Sequence, residues 1–314
     1  MMRADTVTSE IVSWTAGSMG GRLTVALTAG PERRADATNA ARRTAQRVDT
    51  WAARLTRFNS ASDLCRLNDA LDSRVAVRPT LAAALSWAAT AERRTDGVVD
   101  ATLLDARLAA EHGDRTPLGR GRWCVLNAAR PAVIERPPAV RFDLDGLAKG
   151  WIADRAADLL SAWPGVAVDA DGDIAITAAP GVEWLIGVAD PRSDSADGDR
   201  PMLATLRLTG GELWSRRYGV ATSGTSVHRW QLEGGAAAHH LIDPRTGRPA
   251  QTDVIQATVV APSAREAEVV AKAAVILGSD EALGFLHRSA ALAALLLLES
   301  GDVACLPGVD AWLA

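Results

Sequence analysis

The 314-residue sequence predicts an α+β fold, with helices early and late around a mainly antiparallel sheet. Three observations predict it. Apolar residues recur at helical spacing near both ends of the chain, short β-branched runs alternate in its middle, and an Asp-Gly pair divides two of those runs like a tight hairpin turn. With 48% hydrophobic and 23% charged residues, the chain can bury a substantial core, in one large domain or two closely packed ones, with residues 1–12 expected to be flexible.

The elements follow in order. Residues 31–55 place Ala41, Ala45, Val48, Ala52 and Leu55 at helical spacing, with arginines on the other faces. Ser60-Ala61-Ser62-Asp63 reads as a turn into a short helical piece through Leu64 and Leu67. A second long helix spans 80–94, with Thr80 as N-cap after Pro79 and Gly97 just past its end. Residues 146–163 form a third, with Ile152, Ala156, Leu159, Leu160 and Trp163 inward and Pro164-Gly165 as its stop. Val166 and Val168 alternate before Asp171-Gly172, and Ile174 and Ile176 after it, the pattern of a hairpin. Residues 184–188, 203–208 and 254–260 are further strands, separated in part by an Asp- and Ser-rich solvent loop at 193–200. A last helix runs from Ala264 to Leu277 and ends at Gly278.

Charge and cysteine content remove whole classes of function. A net charge of −4 leaves no electrostatic footprint for nucleic acid. The three cysteines, Cys65, Cys124 and Cys305, have no CxxC spacing, so neither a disulfide framework nor a zinc cluster is indicated. The N-terminus lacks the apolar core of a signal peptide, and the longest apolar run, residues 290–298, is too short for a bilayer, so a cytoplasmic protein without a membrane span is expected. Neither a P-loop nor a GxGxxG turn is present, and any nucleotide site is built differently.

Of the 34 basic residues 32 are Arg, and the only lysines are Lys149 and Lys272. In a chain so biased toward arginine, a compact ammonium suggests either a local requirement or two leftover codons. Phe142 to Gly150 runs from a strand end into a helix start, where free N–H groups and Lys149 favour an anion such as phosphate. Residues 221–226 are small and hydroxyl-rich. After them, His239-His240 precedes Asp243-Pro244-Arg245-Thr246-Gly247; the latter is turn chemistry, while an imidazole and a carboxylate three apart could share a proton. Residues 95–102 are a helix stop followed by two valines and Asp100. Glu268 and Lys272 lie four apart on the last helix, a spacing that usually marks an exposed ion pair.

In this order the clusters resemble the ApbE-type flavin transferases, the FAD:protein FMN transferase family, from Ser18-Met19-Gly20 to Gly278. Ser62-Asp63-Leu64-Cys65-Arg66-Leu67-Asn68 is similar to the family's Ser-Glu-Leu-x-x-Leu-Asn, and Gly97 to Thr102 to its Gly-x-Phe-Asp-x-Thr, with Val99 at the Phe. Asp143 to Asp154 resembles Asp-Leu-x-Gly-Ile-Ala-Lys-Gly-Tyr-x-x-Asp, with Trp151 at the Tyr. Asp171-Gly172-Asp173, Thr222-Ser223-Gly224 and His240 to Gly247 resemble its Gly-Gly-Asp, Thr-Ser-Gly and His-x-x-Asp-Pro-x-Thr-Gly. The resemblance implies a single α+β domain that binds FAD, uses Mg²⁺ on the pyrophosphate, and passes FMN to a Thr or Ser hydroxyl of an acceptor protein, releasing AMP. It implies FAD contacts from Met19, Phe58, Val98, Val99, Asp100, Asp143, Lys149, Asp173, Ser223, Ile242 and Thr246, and activation of the hydroxyl by His240 and Asp243.

The departure is at the metal. The family's last helix reads Ala-Asp-x-x-x-Thr, whose Asp and Thr hold Mg²⁺ with carbonyls at the positions of Gly146 and Ala271; this chain has Glu268 and Lys272. A protonated Lys has donors and no acceptor, so it is no ligand. Either Lys272 turns its ammonium toward the metal's place and faces FAD in its stead, or it swings out to Glu268 or solvent and a weakened site survives on Gly146, Glu268 and Ala271. The alternative to the enzyme is an FAD-binding or flavin-delivery protein with weak or no transferase activity, because Lys272 replaces the metal-site Thr.

Overall fold

A computed structural model describes residues 9–113, 121–127, 131–193, 201–226, 229–231 and 237–314. The helical face over 31–55 forms a 3-10 turn, Pro31–Arg33, and then α1, Arg34–Leu55, with Ala37, Ala41, Ala45, Val48 and Leu55 buried. Helix α2, Asp63–Asp69, starts where Ser62 accepts from the Cys65 N–H at 3.0 Å, and Leu64 and Leu67 are fully buried. Helix α3 is Pro79–Arg94: Pro79 takes the first helical position and Arg78 precedes it, so Thr80 is not the cap and its hydroxyl accepts from Arg54 instead. Helix α4, Leu104–His112, was not foreseen; it closes at Gly113 with φ 74°.

Helix α5 is Lys149–Asp158, shorter at both ends than the expected 146–163. Gly146 adopts φ 73°, which no right-handed helix can include. Leu159 is 55% exposed rather than inward, because the chain has left the helix by then; Leu160 and Trp163 are still buried in the turns that follow. The last helix, α6, spans Ala264–Arg288 with a break at Gly278 (φ 74°, ψ 168°). The expected stop is there, yet the helix resumes because the Asp253 carboxylate accepts from the Ser279 N–H and hydroxyl and caps the second segment.

The main sheet has eight strands, all antiparallel: Glu10–Ser18, Gly21–Ala29, Gly165–Ala170, Asp173–Ala178, Arg216–Gly224, Val254–Ala261, Ala293–Leu298 and Val303–Cys305, adjacent in that order. Asp171 and Gly172 both have positive φ (60° and 93°), the backbone that a two-residue hairpin needs. Helices α1, α5 and α6 cover one face of the sheet. The strands expected at 184–188 and 203–208 are Glu183–Ala189 and Met202–Thr209; they pair with each other and cover the opposite face through Trp184, Val188, Leu206 and Leu208. A three-stranded sheet of Arg74–Val77, Ala132–Glu135 and Cys124–Asn127 packs beside α3. Residues 10–12, expected to be flexible, are the start of the first strand, whereas 1–8 and 194–200 of the expected solvent loop lie outside the described residues. Among the described residues no helix is long and apolar enough to cross a membrane.

Candidate functional site

The crossing of α5 and α6 fixes the site from below. A side chain on Gly150 would meet the Ala264 carbonyl oxygen at 2.6 Å, so the two helices approach at backbone distance. Each helix then caps the other. Asp154 of α5 accepts from the Ala264 and Arg265 N–H groups (3.0 and 3.2 Å), and Glu268 of α6 accepts from the Gly150 N–H (3.0 Å). Burial pushes the Asp154 carboxyl up to about 6, only partly offset by the two backbone donors. Burial and the nearby Asp173 raise Glu268 well above the usual carboxylate range.

Lys149 is the first residue of α5 and points to the hairpin turn, with Nζ 3.4 Å from Asp173 Oδ2 and 3.5 Å from the Asp171 carbonyl. Burial alone would depress this amine, but Asp173, Glu268, Asp145 and Asp171 reverse the effect and keep it protonated. Asp173 is itself raised, because burial outweighs Lys149. The strand registers bring the Met19-Gly20 turn, the Asp171-Gly172 turn and Ser223 to this same end of the sheet.

Beside it lies a pocket lined by Asp100, Leu103, Arg107, Asp143, Asp145, His240, Ile242 and Lys272. Its floor is set by the first clusters of the chain: Asn68 of α2 exchanges two hydrogen bonds with the Phe142 backbone (2.8 and 2.7 Å), which holds the 142–146 loop in place. Asp100 accepts from the Thr102 N–H and hydroxyl, and Asp143 accepts from the Asp145 N–H and faces Arg57 at 3.7 Å. Lys272 is buried and donates to the Asp145 carbonyl at 2.8 Å; it is not paired with Glu268, contrary to the ion pair its spacing suggests. Asp145 is open to solvent at the pocket mouth. Desolvation opposes its ionisation, yet Lys272, then His240, Arg107 and Lys149, pull its carboxyl down to about 2.

A divalent ion held by Gly146, Glu268 and Ala271 does not suit this arrangement. A side chain on Gly146 would meet Lys272 Cδ at 2.6 Å and Nζ at 2.8 Å, so an ammonium covers that glycine; Glu268 gives Oε2 to the Gly150 N–H, while its buried Oε1 has no hydrogen-bond partner. Among the described residues no three His, Cys, Asp or Glu side chains converge as ligands.

The comparisons with known proteins fit this geometry. Residues 19–296 match the ApbE family. The chain belongs to that family. The FAD:protein FMN transferase of Treponema pallidum is 30% identical over 182 residues, 54% of this chain, and that of Salmonella typhimurium is 26% identical over 290 residues, 85% of it. The chain spans about half (47%) of the Treponema relative's length and 77% of the Salmonella one's. Its fold is shared with the ApbE protein of Thermotoga maritima (TM-score 0.78, 21% identity, covering 97% of this chain and all of that one). The flavin transferase ApbE of Vibrio cholerae has the same fold (TM-score 0.75, 20% identity, 98% of this chain and 100% of that chain).

Within this ApbE-family chain, Asp100, Asp143, His240, Ile242 and Lys272 share the pocket, and Lys149, Asp173, Met19 and Ser223 gather at the adjoining sheet end. Phe58 is 82% exposed beneath the Arg57 guanidinium, Val98 is half-buried, and Val99 is part of the main core. Thr246 and Asp243 are in the turn. Asp243 is buried and its carboxylate is taken by the Arg245 N–H and guanidinium (2.8 to 3.1 Å), while its carbonyl accepts from Thr246 and Gly247. His239 uses both ring nitrogens on the backbone of Ala250 and Leu241, and burial lowers its pKa, so it is a neutral strut. Sequence reasoning missed Arg107 and Asp145. Arg107 lies inside α4, which no expected element covers, and Asp145 is one carboxylate within the 142–150 motif, with no local signal of its own.

Proposed function

We propose that this chain is an FAD:protein FMN transferase that moves FMN from FAD to a Thr or Ser hydroxyl of an acceptor protein. The observation that carries this reading is the meeting of the Lys149 end of the sheet with a pocket holding His240, in a chain of the ApbE family. The acceptor oxygen attacks the FMN-side phosphorus, the bond from that phosphorus to the AMP oxygen breaks, and AMP leaves with the electron pair. His240 takes the hydroxyl proton, and Asp243, engaged by Arg245, orders the turn that carries it. Lys149 supplies positive charge to the phosphate oxygens. Magnesium has no place in this reading, for the reason given by Lys272 and Gly146. Only free cysteines are found in the structure, which suits a reducing cytoplasm.

The test is incubation with FAD and a protein extract of the source organism, followed by a denaturing gel read for covalent flavin fluorescence and an assay for AMP. Covalent flavin with AMP is expected, and His240→Asn should slow it by about 100-fold or more. FAD bound with neither product would instead make the chain a flavin-delivery protein, and FMN with AMP but no labelled protein would make it a hydrolase.

A further inference from the structure

The pocket holds buried donors that no acceptor of the chain takes up. Arg107 is 8% exposed, its Nε donates to Glu111 at 2.9 Å, and its guanidinium lies 5.1 Å over the Trp230 ring, yet its buried Nη1 has no partner. A buried guanidinium N–H without an acceptor is costly, and such groups persist where a ligand completes them. Lys272 spends only one of its three donors, on the Asp145 carbonyl. Three carboxylates line the same pocket, and two of them are engaged by other groups of the chain, while the third, Asp145, lies in the field of Lys272 and Arg107. Asp100 serves Thr102, Asp143 serves the Asp145 N–H and Arg57, and the Asp145 residue is open to solvent. A ligand that brings oxygens to Arg107 Nη1 and Lys272 Nζ would complete both side chains.

We propose, resting on the transferase reading above, that Arg107 and Lys272 form a metal-free clamp for the phosphate oxygens of a flavin dinucleotide. Arg107 is rigid: Glu111 holds it from one side, and Arg57 shares that carboxylate at 2.7 Å, so the guanidinium approaches the ligand with little entropy left to lose. Lys272 is placed by Gly146, whose missing side chain is the space the lysine chain fills. Two monovalent cations lining one pocket can take the charge that a divalent ion would otherwise carry. The lysine that excludes the metal thereby supplies part of its charge.

The experiment measures binding of FAD and of riboflavin, which has no phosphate, by flavin fluorescence in EDTA and in Mg²⁺. For the parent, the FAD dissociation constant should agree within about twofold between the two conditions, since no divalent ion takes part. Arg107→Met and Lys272→Met should each weaken FAD in EDTA by roughly ten- to hundredfold and leave riboflavin unchanged. Lys272→Arg should recover most of the loss. The FAD-to-riboflavin ratio is internal to each protein, so a variant that folds poorly lowers both and is recognised as such; the conservative Arg107→Lys then serves as the second probe. FAD binding that requires Mg²⁺, or that is indifferent to both Met variants, overturns the clamp and leaves the transferase reading standing. Absence of FAD binding in either buffer overturns both.

Discussion

The α5–α6 crossing and the pocket beside it are both buried and charged, but they are balanced in opposite ways. At the crossing, Asp154 and Glu268 each answer the free N–H groups of the other helix, and Gly150 lets the backbones meet. In the pocket, Arg107 and Lys272 have hydrogen-bond donors left over; of the three carboxylates beside them, Asp100 and Asp143 are engaged by other groups and Asp145 answers them only through its charge. Carboxylates that answer backbone donors of the same chain stabilise the fold, even though Glu268 Oε1 is left over at the crossing, whereas buried donors left over in a cleft lower stability and suit a ligand. The two regions should therefore respond to substitution in different observables.

The largest effect is expected at the crossing. Gly150→Ala drives a methyl group into the Ala264 backbone and should lower stability by about 3 kcal/mol in urea denaturation. Next is the pH dependence carried by Asp154. The native state protonates this carboxyl near 6, above its unfolded value of 3.8, so between these values the native state holds more protons than the unfolded chain. Stability from this group is therefore present below pH 3.8 and falls as pH rises toward 6. Relative to Asp154→Asn, the parent should lose about 2–3 kcal/mol between pH 4 and pH 7, measured as paired denaturation curves. A difference that is flat in pH would show that the crossing does not confine the charge.

Changes in the pocket should barely register in stability. Lys272→Met removes an ammonium and one hydrogen bond and should shift stability by no more than about 1 kcal/mol. It should however raise the Asp145 carboxyl from about 2, because Lys272 is the foremost cation holding it down, and carbon-detected NMR titration reads this directly. A large loss of stability here would erase the contrast between the two regions. Smallest of all is Arg245→Ala. The Arg245 side chain is half exposed, so losing its pair with Asp243 should cost under about 1 kcal/mol while the turn bonds to the Asp243 carbonyl persist.

Much of this was legible in the sequence where a residue's demand is local. Asp171-Gly172 specified its hairpin through positive φ, and Ser62, Leu64 and Leu67 specified a capped helix with one buried face. The motif from Asp143 to Asp154 places Lys149 at a helix start, beside the Asp171-Gly172 end of the sheet. What could not be read depends on contacts across many residues. Glu268 at four residues from Lys272 looks like a surface pair, and only the distant N-terminus of α5 explains why it is buried and pointed elsewhere. Asp243 looks like a proton partner of His240 until Arg245 is seen on its carboxylate. Arg107 was one arginine among 32, and its meaning comes from the pocket that α4, residues 230 and 240–242 and α6 build around it.

The most direct measurement of the central claim is a crystal structure of the chain with FAD, grown once in EDTA and once with Mg²⁺. The account predicts the same pose in both, with phosphate oxygens within hydrogen-bond reach of Arg107 Nη1 and Lys272 Nζ and no ion between Gly146 and the nucleotide. A divalent ion seated there with Lys272 turned away, or phosphates bound out of reach of both cations, would contradict it.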